Sequence, residues 1–190
     1  MYRVVTAVAL ERSIPIPDER AVTLLSEKIQ IDLLPPDKND GRQFTVRADR
    51  NDVTWAIRTR EVDQNVSPVS TYAGVRRAMS AQQRRIGLQG RVVMVGRDIG
   101  TVVLPEADVK IYLDATEHER ALRRYHERVA RGEAVEFDSV LREIQRRDQI
   151  DSSRSVAPLK QADDAIYLDS TGLTIPQVVE RVMTIIEGIS

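Results

Sequence analysis

Arg97 and Asp98 sit between two glycines in Gly96-Arg-Asp-Ile-Gly100, directly after the apolar run Val92 to Val95. A guanidinium is a planar fork matched to phosphate oxygens, and an ionised carboxylate can only accept hydrogen bonds. Gly96 allows close backbone approach to a ligand or a positive φ. A second charged set lies further on. Arg147, Asp151 and Arg154 are spaced four and three residues apart, so on a helix all three would project from one face. Two arginines on a polyphosphate would stabilise charge that migrates during phosphoryl transfer. Each pattern also has a plain reading: a turn carrying a surface ion pair in the first case, an exposed charge ladder in the second. Neither pattern alone separates the two.

The elements that would position these groups can be read from periodicity. Val92 to Val95 is continuous and apolar, as a strand buried on both faces would be, and ligands in open α/β sheets sit beyond the carboxyl ends of strands. Val109 to Leu113 and Ala165 to Leu168 read as a second and a third buried strand. Between and around them the pattern is helical. Tyr2 to Leu10 is small and apolar, and Ser13-Ile-Pro-Ile-Pro17 ends it. Asp18 can cap a helix reaching about Gln30, and another runs from about Val75 to Gln89. Ser67-Pro68 falls in a polar segment between them. Thr116-Glu-His-Glu119 is a capping box opening an arginine-rich helix with Arg120, Arg123 and Arg124. Gly132 separates it from a helix running to about Asp148, which is followed by a charged loop to Arg154. That hairpin, 117–154, suits a mobile lid. Thr174 and Pro176 open a terminal helix to about Ile189. Strands alternating with helices predict an α/β fold with a parallel sheet, as one domain over 1–190. Inside it, Ile29 to Leu34 and Gln43 to Ala48 flank the turn residues Pro35 to Gly41, a hairpin signal within an antiparallel insert of 29–65.

Composition narrows the partners. With 42% hydrophobic and 30% charged residues the chain reads as a soluble globular protein, and its net charge of −1 favours neither nucleic acid nor an anionic membrane. Two phenylalanines and one tryptophan are too few for the base-stacking platforms of RNA-contacting domains. The absence of cysteine excludes disulfides and thiolate metal sites. No apolar run reaches membrane length and no secretory pattern follows Met1, so a cytoplasmic monomer is expected. Only four of the 28 basic residues are lysines; arginine suits bidentate phosphate recognition, and a GC-rich genome produces the same bias.

Taken together, Gly96-Arg-Asp-Ile-Gly-Thr-Val-Val-Leu-Pro105 and Val109-Lys-Ile-Tyr-Leu113 resemble bacterial cytidylate kinases. So do Ile57-Arg-Thr59, Arg147-Asp148…Asp151…Arg154, Val156-Ala-Pro-Leu159 and Asp169-Ser-Thr171. The resemblance runs from Tyr2-Arg3 to the terminal helix. It implies a P-loop nucleoside-monophosphate-kinase fold and transfer of the ATP γ-phosphoryl group to CMP or dCMP, with Mg²⁺ accompanying ATP. By position, Ser67, Arg76 and Asp98 match the family's cytosine-reading residues. Arg147 and Asp151 match the pair on the pentose. Arg3, Arg97 and Arg154 match those gripping the monophosphate, with Arg97 and Arg154 next to the transferred phosphoryl group. Arg120, Arg123 and Arg124 fall in the lid that closes on ATP, and the insert 29–65 matches the monophosphate-binding region. No metal ligand is expected in this chain.

The family pattern opens with a strand, a loop of the form G-x-x-x-x-G-K-[ST], and a helix, and no Gly-Lys dipeptide occurs here. About 30 to 40 residues, one βαβ unit, are therefore expected to precede Tyr2-Arg3 in a complete enzyme. The chain as written is expected to bind CMP weakly and not to turn over ATP. The alternative is a degenerate kinase that binds CMP in a regulatory role without catalysing transfer.

Overall fold

Six consecutive residues of the first helix, Val4 to Ala9, are buried, so α1 (Tyr2–Glu11) is a core helix apolar on all sides. The buried Thr6 hydroxyl donates to the Tyr2 carbonyl at 3.0 Å. Ser13 takes a positive φ of 54° and Pro15 and Pro17 follow, so the helix cannot continue. Asp18 caps α2 (Glu19–Lys28) by accepting from the Ala21 N–H at 2.9 Å. In the computed structural model, residues 1–153 and 159–189 are described and the chain divides into two compact units, Met1–Met94 and Val95–Ser190.

In the first unit α1 packs against α2 and α3 (Arg60–Val69), and α2 against α4 (Ala73–Gly87). A three-stranded antiparallel sheet completes it: β1 (Ile31–Leu34), β2 (Thr45–Ala48) and β3 (Asn51–Asp52), with Ile31 opposite Ala48 and Leu34 opposite Thr45. Ile31, Val22, Val62 and Met79, all fully buried, join the helices and the sheet in one core. The expected hairpin is present, with its strands beginning two residues inside the predicted limits. The turn between β1 and β2 is organised by Arg42, whose side chain is only 2% exposed. It donates to Asp40 at 2.7 and 2.8 Å, to Asp52 at 2.8 Å and to Asp37 at 3.1 Å. Arg42 and the Trp55 indole hold the Asp40 carboxyl well below the usual range. The Thr54 hydroxyl and N–H, followed by Arg42, do the same for Asp52.

The second unit is built on two parallel strands, β4 (Ile111–Asp114) and β5 (Ile166–Asp169), in register from Ile111–Ile166 to Asp114–Asp169. α5 (Glu117–Ala130) and α6 (Phe137–Ser153) form a hairpin that turns at Gly132, φ +78°, a conformation that glycine adopts without strain. Thr116 accepts from the Glu119 N–H at 3.2 Å, which is half of the predicted capping box. The Glu119 carboxylate turns instead to Arg123, and the Thr116 N–H goes to the Thr171 hydroxyl at 3.0 Å. α7 (Ile175–Glu187) starts at a complete capping box of Thr174 with Gln177 and buries no residue.

Three expectations are corrected. Val92 to Val95 is not a strand: Val93 and Val95 are 93% and 91% exposed, and β4 and β5 alone form the parallel sheet among the described residues. A continuous apolar run shows that a segment would tolerate burial, but a strand also needs a neighbour's hydrogen-bonding edge, and none is paired with it. Gly90 and Arg91, with φ of 79° and 50°, turn the chain just before it. Ser67-Pro68, read as part of a polar connecting segment, lies instead in the last turn of α3, which Thr59 opens by accepting from the Val62 N–H. Pro68 has no N–H to give the Gln64 carbonyl, so the helix forgoes one hydrogen bond there and ends at Val69. Finally, α6 continues past Asp148 to Ser153, which puts Arg147 and Asp151 on one helix; Arg154 lies outside the described residues.

Candidate active site

Asp98 leads into a single turn of π-helix, Ile99–Val103, its carbonyl accepting from Val102 and Val103 at 2.9 and 3.2 Å. Its side chain is buried. A Cβ at Gly96 would come within 2.8 Å of the Ile99 side chain, which would have to shift to admit one. Arg97, between them, points at α6. Its Nε stands 3.4 Å from Asp151 Oδ2 and its Nη1 3.7 Å from Asp148 Oδ1. Arg147, one turn before Asp151 on α6, reaches the same oxygen at 3.9 Å. Arg120, from the first turn of α5, donates to Asp148 Oδ2 at 2.6 Å and to the Ala115 carbonyl at 3.0 Å. Three guanidinium groups from three elements thus surround two carboxylates, and the set keeps one positive charge in excess. Asp151 is almost fully enclosed, its side chain 2% exposed, whereas the arginines remain a third to a half exposed. That is the electrostatic form of an anion site, with cations facing solvent over a buried acid that orders them.

The remaining expected residues fall in other places. In the first unit Arg3 donates from Nε to the Ile57 carbonyl and from Nη1 to Asp63, both at 2.6 Å. Arg76 is buried beneath the Tyr2 ring, its Cζ 5.5 Å from the centroid, and donates to the Ser70 carbonyl at 3.1 Å. The Ser70 hydroxyl in turn donates to the backbone carbonyl of Ser67 at 2.8 Å, so Ser67 and Arg76 both bond Ser70. Arg123 is fully engaged with Glu119, the Ser170 hydroxyl and the carbonyls of Ser170 and Leu173, joining α5 to the segment after β5. Arg124 pairs with Glu127 on its own helix at 2.8 Å. No group of three or more histidine, cysteine, aspartate or glutamate side chains among the described residues could hold a metal ion. No step is assigned to a metal ion.

The family model for cytidylate kinase matches residues 1–188. The chain belongs to the cytidylate kinase family. It is 44% identical over 187 residues to a cytidylate kinase of Bacillus licheniformis, covering 98% of this chain and 81% of that protein. It is 47% identical over 186 residues to one of a Geobacillus species, with the same coverage, and 42% identical over 187 residues to one of Bacillus subtilis, covering 98% and 82%. The family is one of enzymes, the nucleoside monophosphate kinases, with the P-loop α/β fold. The parallel β4–β5 pair and the small antiparallel sheet are this chain's share of it.

Two residues of the chain carry more of the geometry than its sequence suggests. Asp148 lies within the motif Arg147-Asp148…Asp151, yet only the fold reveals that it faces both Arg97 and Arg120. Arg42 looks like one arginine in an acidic turn and is in fact the buried centre of that turn. Arg42 stands among Asp37, Asp40 and Asp52, but Arg47 and Arg50 lie in the same stretch, so the sequence does not single it out.

Proposed function

We propose that the chain binds CMP or dCMP as phosphoryl acceptor, with ATP as donor and CDP or dCDP as product. The convergence of Arg97, Arg120 and Arg147 on Asp148 and Asp151 supports this reading most directly: it is a preorganised cationic set at a turn that opens with Gly96-Arg97-Asp98. In the reaction a CMP phosphate oxygen attacks the γ-phosphorus of ATP in line, a new P–O bond forms, the bond to the β,γ-bridging oxygen breaks, and ADP leaves. Arg97, joined by Arg154, neutralises the charge on the transferred group, and Arg3 holds the monophosphate. Arg147 and Asp151 take the pentose. Asp98 accepts from the exocyclic amine of cytosine while Ser67 and Arg76 donate to its other edge positions. Arg120, with Arg123 and Arg124 on the same helix, faces the phosphates of ATP. Positioning and charge neutralisation account for the acceleration, since no side chain here acts as a nucleophile.

Replacement of Asp98 by asparagine tests the base assignment. A carboxylate that accepts from the cytosine amine predicts weaker binding of CMP, by about tenfold or more, and little loss for UMP. Equal losses for both nucleotides, measured by calorimetry, would remove Asp98 from base recognition.

A further inference from the structure

Asp148 is the one carboxylate of the arginine cluster that the reading above leaves without a ligand. Its two oxygens serve different elements: Oδ2 accepts from Arg120 on α5 at 2.6 Å, and Oδ1 lies 3.7 Å from Arg97 on the turn before the π-helix. A phosphate group makes the same kind of contact, two acceptor oxygens presented to two guanidinium groups. Without an anion between them, two like charges drawn to one point would repel. The side chain of Asp148 is 19% exposed, so its charge is only partly screened by water. The two contacts are unequal. Arg120 is held at hydrogen-bond distance and tied a second time to the Ala115 carbonyl, while Arg97 is outside hydrogen-bond distance of Asp148 and shares its charge with Asp151 at 3.4 Å.

We propose that Asp148 is a positioning residue that stands in for a nucleotide phosphate. In the ligand-free protein its carboxylate stores Arg97 and Arg120 against α6, and on binding it yields them to the phosphates, Arg97 first and Arg120 after it. The inference rests on the assignment of Arg97 and Arg120 to phosphates made above. It adds that phosphate affinity is set by competition with an internal anion, and that Asp148 opposes binding while keeping the two arginines together.

The test is calorimetric titration of CMP and, separately, of inorganic tripolyphosphate into the full chain and its Asp148→Asn, Asp148→Glu, Arg120→Ala and Asp148→Asn/Arg120→Ala variants. Asparagine keeps the size and removes the charge. Tripolyphosphate is expected to bind the Asn variant about three- to tenfold more tightly than the wild type. The Glu variant should bind it less tightly than the Asn variant. The gain should vanish when Arg120 is also removed, because there is then no second cation to release. A carboxylate that merely braced α5 against α6 would give the opposite sign, since its loss would loosen the site. Unchanged or weaker tripolyphosphate binding by the Asn variant, with CMP still bound by the wild type, overturns the stand-in role and leaves the CMP reading intact. Failure of the wild type to bind CMP at all overturns both.

Discussion

The two units of the molecule are held together by different physics. The first, Met1–Met94, has a continuous apolar core in which α1 is buried on all sides and Ile31, Val62 and Met79 are sealed. The second, Val95–Ser190, buries few large side chains, Val103, Leu104, Val140 and Leu168 among them. Leu113, Tyr167, Val179 and Met183 are exposed, as is Ile175, at 81%. Its elements are joined instead by guanidinium groups: Arg120 to Asp148, Arg123 to Ser170, Arg128 to Glu133 and Glu143. Apolar burial gives stability that does not depend on ligands, whereas half-exposed ion pairs contribute little each and are easily exchanged for a bound anion. The first unit therefore rests on apolar burial and the second on contacts that an anion could exchange.

The largest expected effect tests the apolar core. Met79→Ala, which empties a fully buried site on α4, should cost about 2–5 kcal/mol in urea unfolding, and Leu168→Ala on β5 should fall at or below the low end of that range. Equal costs would erase the contrast between the units. Next in size is the response to ligand. CMP at one hundred times its dissociation constant should stabilise the chain by about 2.7 kcal/mol, with hydrogen exchange slowed chiefly along α5 and α6. Protection confined to the first unit would place the anion elsewhere.

Arg42→Met should cost the β1–β3 sheet its exchange protection while α1 and α4 keep theirs, because Asp37, Asp40 and Asp52 would face one another without their shared cation. Acid should act on the same turn. Asp40 and Asp52 ionise in the folded protein well below the ordinary carboxylate value of about 3.9, so their contribution is complete above that value and is lost only as pH falls beneath it. Loss of the sheet on acidification from pH 7 to 5, followed by circular dichroism, would contradict this. The smallest effect is on the surface of the α5–α6 hairpin. Raising salt to 1 M should cost less than about 1 kcal/mol there, since pairs such as Arg124–Glu127 are exposed.

The local signals in the sequence were the dependable ones. Asp18 and Thr174 cap as their types predict, and the turn residues 35–41 do separate two antiparallel strands. These features depend on neighbours a few residues away. The apolar run at Val92 to Val95 misled because strand formation depends on a partner edge, which no window of sequence contains. Pro68 misled because the one hydrogen bond it forgoes is not enough to keep it out of the end of a helix. In the site, the spacing of Arg147 and Asp151 fits one helix face, but the sequence pattern ends that helix at about Asp148. That Arg97 meets Asp151, and that Asp148 lies between Arg97 and Arg120, are tertiary facts spanning more than twenty residues of chain.

CMP titration of the wild type and of Arg97→Ala tests the anion site most directly. A guanidinium that grips the monophosphate predicts one CMP bound per chain and a loss of about tenfold or more in affinity on substitution. Identical affinities for the two proteins would contradict the assignment of the Arg97–Asp151 cluster to the nucleotide.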